Sequence, residues 1–155
     1  MEDHACLTAE ASEKQAFLEF NFAPTDLRRN IAILGALHKR VLGLCHPSFV
    51  KLLPWHRDRF PEDSSDGHDK KLYGHRLEAK FHPALFSRSI FAMIDIYNVL
   101  PQYVVDAASV SIFQHRLTDI ARRRCEMDVP AWADSFNRRR GPDCDWQDEM
   151  LEYLD

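Results

Sequence analysis

Apolar residues between Leu27 and Leu44 recur at Leu27, Ile31, Leu34, Leu37, Val41 and Leu44. Spacings of three and four place them on one helical face, which predicts a helix over about Asp26 to Leu44. Thr25 is its candidate N-cap, Asp26 suits the positive end of the helix dipole, and Gly43 with His46-Pro47 supplies the stop. Arg28, Arg29, Lys39 and Arg40 then fall mainly on the solvated side. Pro47 opens a second, short helix through Phe49, Val50, Leu52 and Leu53, ended by Pro54.

Residues 56–71 are almost wholly charged or small, without helical or alternating period, and read as a long, charged, disorder-prone loop. Leu72 to His82 reads as extended or irregular. Ala84 to Leu100 carries apolar residues on nearly every side: Phe86, Ile90, Met93, Ile94 and Tyr97 form one stripe, and Phe91, Ala92 and Ile96 widen it. A helix apolar all round must be covered all round, so this stretch is expected to be the central helix, terminated by Pro101. Ser109 caps the next helix, of about 16 residues, with Val110, Phe113, Leu117, Ile120 and Ala121 facing inward. Pro130 opens another short helix bearing Trp132, Ala133 and Phe136, and WQDEMLEYL near the end of the chain adds one or two turns.

At 155 residues with five glycines, the chain fits a mostly α fold. The expected architecture is a small irregular helical domain of about four to six helices. Residues 1–24 read as an acidic, partly flexible segment, and residues 25–155 as a single helical domain interrupted by the 56–71 loop. The amino terminus lacks the basic start and apolar run of a secretory signal, and no stretch approaches the ~18 consecutive apolar residues of a spanning helix. The expectation is therefore an intracellular protein, cytoplasmic or nuclear, with no membrane contact and with Cys6, Cys45, Cys125 and Cys144 reduced. A net charge of −4 predicts no general attraction to nucleic acid, leaving local basic clusters as the places where one would act.

Candidate chemistry adds little. Zinc sites need ligands in close pairs, and the cysteines are not so placed. His68, His75 and His82 recur every seven residues, but Gly67, Gly74 and Pro83 break any helix that would align them, so they read as solvated. No metal, cofactor or catalytic residue is expected; a nucleophile elbow and a phosphate loop are both lacking from the sequence. Asp95 reads as the polar sliver of the apolar helix, or as a partner of an arginine such as Arg88. The arginine runs Arg122, Arg123, Arg124 and Arg138, Arg139, Arg140, with Arg28, Arg29, Lys39 and Arg40, are the candidate contacts to RNA or DNA. Both runs also sit where helix ends favour positive charge.

Two blocks in order, RRNIAILGALHKRVLGL at 28–44 and RSIFAMIDIYNVLPQYVVDAASVSIFQHRL at 88–117, resemble the region that follows the polymerase in non-LTR (LINE-type) retrotransposon reverse transcriptases. In that family an Arg-Arg start leads into "LxLLYKxxxG", and a later block reads, loosely, "RxIxxWNxLPxxVVxAxSxxxFxxxL". Arg28, Arg29, Leu34, Leu37, His38, Lys39 and Gly43 match the first. Arg88, Ile90, Tyr97, Asn98, Leu100, Pro101, Val104, Val105, Ala107, Ser109, Phe113 and Leu117 match the second. Tyr97 stands where the family has tryptophan, and about four residues, close to one helical turn, are added between Ile90 and Tyr97.

The resemblance implies an intact enzyme that copies RNA into DNA with Mg²⁺ held by palm aspartates. Its Tyr-x-Asp-Asp signature is missing from this sequence. The expected function is thus a non-catalytic C-terminal fragment or remnant of such an enzyme, structural or auxiliary, contacting nucleic acid or the missing polymerase region, or self-associating. Two alternatives stand beside it. One is an unrelated helical protein-interaction module using apolar surface on the 84–100 helix, and the other a small metal-dependent enzyme.

Overall fold

The structure, a computed structural model, describes residues 3–62, 67–75, 82–87 and 89–137. It is mostly helical, and no strand occurs among the described residues. Helices α1 (Asp3–Phe20), α2 (Thr25–Val41) and α8 (Val110–Glu126) are long; α3 (Pro47–Leu52), α4 (His56–Arg59), α5 (Pro83–Ser87), α6 (Ile94–Asn98) and α7 (Gln102–Val105) are short. Single 3-10 turns occupy Ile90–Met93 and Trp132–Asp134.

Helix α2 follows its apolar stripe. Leu27, Ile31, Leu34 and Leu37 are buried, as the spacing predicts. The helix ends at Val41, however, and Gly43 takes a left-handed φ of 73°, so Leu44 leaves the stripe and lies exposed. Pro24, not Thr25, holds the N-cap position, with no side-chain cap. Arg40 also departs from expectation: it is buried, its Nε donating to the Leu53 carbonyl at 2.8 Å while its guanidinium lies over Trp55. Helix α8 begins as read, with the Ser109 hydroxyl accepting from the Ile112 N–H at 3.2 Å.

Helices α2 and α8 run antiparallel along their length. His38 stacks on Phe113 at the start of α8, and at the far end Arg122 reaches Asn21, just before α2. One turn in from His38, Gly35 faces the Gln114 side chain, whose Nε2 would lie 2.5 Å from an added Cβ. Helix α1 closes the other side: Phe17 is fully buried and stacks on Trp132 at 5.3 Å. The stretch read as an acidic, partly flexible lead-in thus carries an 18-residue helix that contributes to the core.

The expected continuous helix over 84–100 is broken. Ser89 adopts an extended conformation and its hydroxyl donates back to the Phe86 carbonyl at 2.7 Å, which stops α5 and hands the chain to the 3-10 turn and then α6. The added residues of the sequence resemblance therefore fall in the 3-10 turn Ile90–Met93 and in the start of α6, which follows it directly. The apolar content is nevertheless covered, with Ala92, Met93, Ile94, Ile96, Tyr97 and Leu100 all buried. Ile90, Phe91 and Val99 of this stretch are half-buried. Exposed large apolar side chains occur elsewhere: Phe20 and Phe22 where α1 leads into α2, a run at Leu44, Phe49, Val50 and Leu52, and singly at Phe60, Tyr103, Ile112 and Met127.

The 56–71 segment is more structured than read over its described residues, 56–62 and 67–71. It opens with the α4 turn, and an antiparallel bridge pairs Trp55 with Leu72 through His56 N–H to Lys71 O at 3.0 Å and Tyr73 N–H to Pro54 O at 2.9 Å. Leu72 is thereby fixed in the core. After Pro130, Ala131 takes a left-handed φ of 55° and only a 3-10 turn follows in place of the expected short helix. The WQDEMLEYL segment lies outside the described residues.

Candidate functional site: a buried histidine–tyrosine cluster

Three segments distant in sequence are tied together at Tyr97. His38 on α2 is fully buried, with Nε2 2.9 Å from the Ala107 carbonyl and Nδ1 3.0 Å from the Tyr97 hydroxyl. A carbonyl only accepts, so Nε2 carries the proton of the neutral ring and Nδ1 accepts from the tyrosine. The ring lies flat on Phe113, with centroids 4.2 Å apart and planes 6° from parallel. His68 repeats the logic from the segment before Leu72: its Nε2 donates to the Tyr97 carbonyl at 2.8 Å and its Nδ1 accepts from the Lys70 N–H at 3.0 Å. Beside it, Asn98 pairs with the backbone of Leu72 twice, accepting from its N–H at 2.9 Å and donating to its carbonyl at 2.8 Å. A side-chain amide here does the work of a strand neighbour.

Electrostatics favours the neutral forms. Burial holds both imidazoles below their ordinary range, opposed only in part by the carbonyl each one contacts, and Lys70 lowers both further. Burial likewise drives the Tyr97 phenol well above its usual range, so the hydroxyl remains a donor. Every nitrogen of His38 and His68 is spent on the fold. The cluster fixes segments against one another, and neither imidazole keeps a nitrogen for a substrate.

The sequence-predicted residues sort by position. Arg28 and Arg29, at the start of α2, are exposed, Arg28 over the Phe22 ring at 4.8 Å and Arg29 paired with Asp26 at 3.2 Å. The antiparallel packing brings this end of α2 to the last turn of α8, where Arg123 is exposed and Arg124 half-buried. Arg122 turns inward, its guanidinium donating to the Leu18 carbonyl at 2.9 Å, the Phe17 carbonyl at 3.2 Å and Asn21 Oδ1 at 3.0 Å. Lys39 is exposed but lies about 15 Å farther along α2 from that end, at 1.5 Å of rise per residue. Arg138, Arg139 and Arg140 lie outside the described residues, as does Arg88. Asp95 is half-buried on α6.

The three histidines read as solvated do not share an environment. His68 is buried, His75 is half-buried with its ring N–H donating to the Leu52 carbonyl at 2.9 Å, and His82 is exposed. Burial at His68 overturns the solvated reading there. Among the described residues no three His, Cys, Asp or Glu side chains converge as a metal site would require, and Cys45 and Cys125 are free thiols. No helix among the described residues is long and apolar enough to cross a membrane.

The network itself was missed by sequence reading, although His38 sits four residues after Leu34 and seven after Ile31, squarely on the apolar stripe. A histidine in that register is a buried one seeking two partners. Comparison with protein-family models, with curated proteins and with solved structures finds no match to this chain.

Proposed function

We propose that this chain is a non-catalytic helical piece of the kind that follows the polymerase in non-LTR retrotransposon reverse transcriptases, serving a structural or auxiliary role in contact with nucleic acid. One observation supports the reading most. The two sequence blocks that carry the resemblance, about sixty residues apart in the chain, meet face to face: Leu34, Leu37 and His38 from the first pack with Tyr97, Ala107, Phe113 and Leu117 from the second. Residues preserved as a pattern because they form one core would recur together in this way. Tyr97 in place of tryptophan is accommodated because its hydroxyl gains a partner in His38.

On this reading the exposed cations at the shared end of α2 and α8, Arg28, Arg29 and Arg123, contact phosphates, while Arg40 and Arg122 hold the fold. Titrating labelled RNA and DNA with the protein at rising salt tests it. Binding is expected to weaken with salt and to weaken further in an Arg29→Gln/Arg123→Gln variant. Salt-independent binding, or none, would count against the contact. Genomic sequence upstream of the coding region tests the kinship separately, intact or decayed polymerase sequence being the supporting result.

A second reading, a helical protein-interaction module, is favoured by the run of exposed Leu44, Phe49, Val50 and Leu52 around α3. It shifts the interacting surface from the 84–100 stretch to this one.

A further inference from the structure

Outside the arginine cluster lies a second arrangement of cations, interleaved with rings. Phe60, at the end of the α4 turn, is half-exposed at 48%. It lies 5.0 Å from His56 and 6.2 Å from Tyr73, centroid to centroid. Tyr73 continues to His75 at 4.8 Å, and His75 to Phe91 at 4.8 Å, so the rings descend in contact from the surface toward the core. Two exposed guanidiniums lie on rings of this surface: Arg59 over Tyr73 at 5.4 Å and Arg57 over Trp55 at 5.1 Å. The bridge between Trp55 and Leu72 and the inner bond of Arg40 to Leu53 hold the platform from behind.

Rings packed against one another at tilted and edge-on angles, 37° for Phe60 with both His56 and Tyr73, present a broken apolar surface on which an exposed ring such as Phe60 receives a flat, π-faced ligand. A guanidinium lying on a ring is held at one face, while its N–H edges stay directed outward to an anion. Asp58 and Glu62 flank the two arginines, both exposed, so the local formal charge is close to zero. A purely electrostatic ligand is therefore poorly served here. A ligand that stacks and carries a modest anionic backbone is well served, and a single nucleic-acid strand has both properties.

We propose that this ring-and-arginine face around Phe60 is a stacking site for single-stranded nucleic acid, with Phe60 receiving a base and Arg57 and Arg59 meeting the backbone. The proposal rests on the nucleic-acid partner of the preceding reading but places the base contact on a face separate from Arg29 and Arg123. Stacking dominates it, so it differs from phosphate binding at the helix ends by its demand for bases.

Fluorescence anisotropy of the full chain with a short labelled oligouridine, an oligothymidine and an abasic strand of equal length tests the site directly. The base-bearing strands are expected to bind about tenfold more tightly than the abasic strand, and Phe60→Ala to lose about tenfold. Phe60→Trp is expected to retain binding. Arg57→Gln/Arg59→Gln is expected to weaken binding and to reduce the slope of log affinity against log salt by about 1.4, at ~0.7 per released charge on a single strand. The oligouridine and oligothymidine arms tell an RNA strand from a DNA strand. Equal binding of the abasic strand, a preference for duplex, unchanged affinity in Phe60→Ala, or no binding by the native chain would each overturn the proposal. If Arg29→Gln/Arg123→Gln abolishes binding while the variants at 57, 59 and 60 leave it intact, this site fails and the helix-end contact survives. Should Phe60→Ala lose its helical circular dichroism, the variants at the exposed Arg57 and Arg59 carry the test alone.

Discussion

Helices α3 and α6 are both short, apolar and placed beside a proline, yet α6 is sealed and α3 lies open. In α6, Ile94, Ile96 and Tyr97 are buried; in α3, Phe49, Val50 and Leu52 are exposed by 38% or more. Apolar content does not separate them. What separates them is polar tethering: α6 is gripped by His38 at the Tyr97 hydroxyl, by His68 at the Tyr97 carbonyl, and through Asn98 by the Leu72 backbone. The α3 region has its His46 cap at one end and, at the other, backbone-carbonyl bonds from His75 to Leu52 and from Arg40 to Leu53, with none of its own side chains clamped as Tyr97 and Asn98 are. A short helix cannot hold itself in register by its own few hydrogen bonds, so its burial follows from the groups that clamp it.

Truncation should separate the two regions most strongly. Phe113→Ala removes the buried ring under His38 and is expected to cost about 3–5 kcal/mol, whereas Phe49→Ala should change stability by no more than about 0.5 kcal/mol. Urea titrations of the two variants give both values. Equal costs would erase the distinction.

The clamp comes next in size. Asn98→Ala leaves the part-buried Leu72 N–H and carbonyl without their partner and is expected to cost about 1–3 kcal/mol, detectable as a lower urea midpoint with an unchanged slope. A loss no greater than that of an exposed asparagine would show that the Leu72 pairing does not hold the segment.

Acid should loosen the α6 side in particular. His38 and His68 have folded-state affinities for protons below the unfolded value of 6.5, so the unfolded chain takes up protons first as pH falls. Their contribution is complete above about pH 6.5 and is lost progressively as pH falls below it, by up to about 1.4 kcal/mol per pH unit for each ring. Protonated His68 would also point an N–H at the Lys70 N–H it now accepts from. Urea midpoints measured between pH 7.5 and 5 should fall, at about half the slope in His68→Gln. A flat profile would contradict buried neutral imidazoles.

The smallest effect is expected at Gly35→Ala. The new methyl meets only the flexible Gln114 side chain, from Nε2 at 2.5 Å to Cγ at 3.1 Å, which can rotate away, while alanine gains roughly 1 kcal/mol of helix propensity. A thermal midpoint within a few degrees of the native one is expected, and a large drop would show that the α2–α8 seam tolerates no adjustment.

Long-period features were legible in the sequence, and clamps were not. The stripe from Leu27 to Leu37 and the Ser109 cap each rest on local spacing and appear where the spacing puts them. The break at Ser89 was hidden because its cause is a hydroxyl bond to Phe86, one that any serine in a helical pattern is able to make and few use to stop a helix. Helix α1 was hidden for the opposite reason. Among its residues whose side chains are described, Phe17 and Leu18 carry the inner face, and the sequence of the helix shows no apolar period. His38, Asn98 and His68 are polar residues each bonded to a partner 26 to 69 positions away, and no local pattern announces such a pairing. The candidate cations were visible as arginine runs, but their roles were not: Arg40 and Arg122 point inward to carbonyls, as only the fold reveals.

Native-state amide hydrogen exchange, read residue by residue, tests the central claim that the Tyr97 seam is a clamped scaffold while the α3 arm is loosely held. Amides of Leu34 to His38, Ile96 to Leu100 and Phe113 to Ala121 are expected to exchange only through global unfolding, and those of Phe49 to Leu53 through local opening at least a hundredfold faster, a difference of about 2.7 kcal/mol. Exchange at Tyr97 and Asn98 as fast as at Val50 would contradict it.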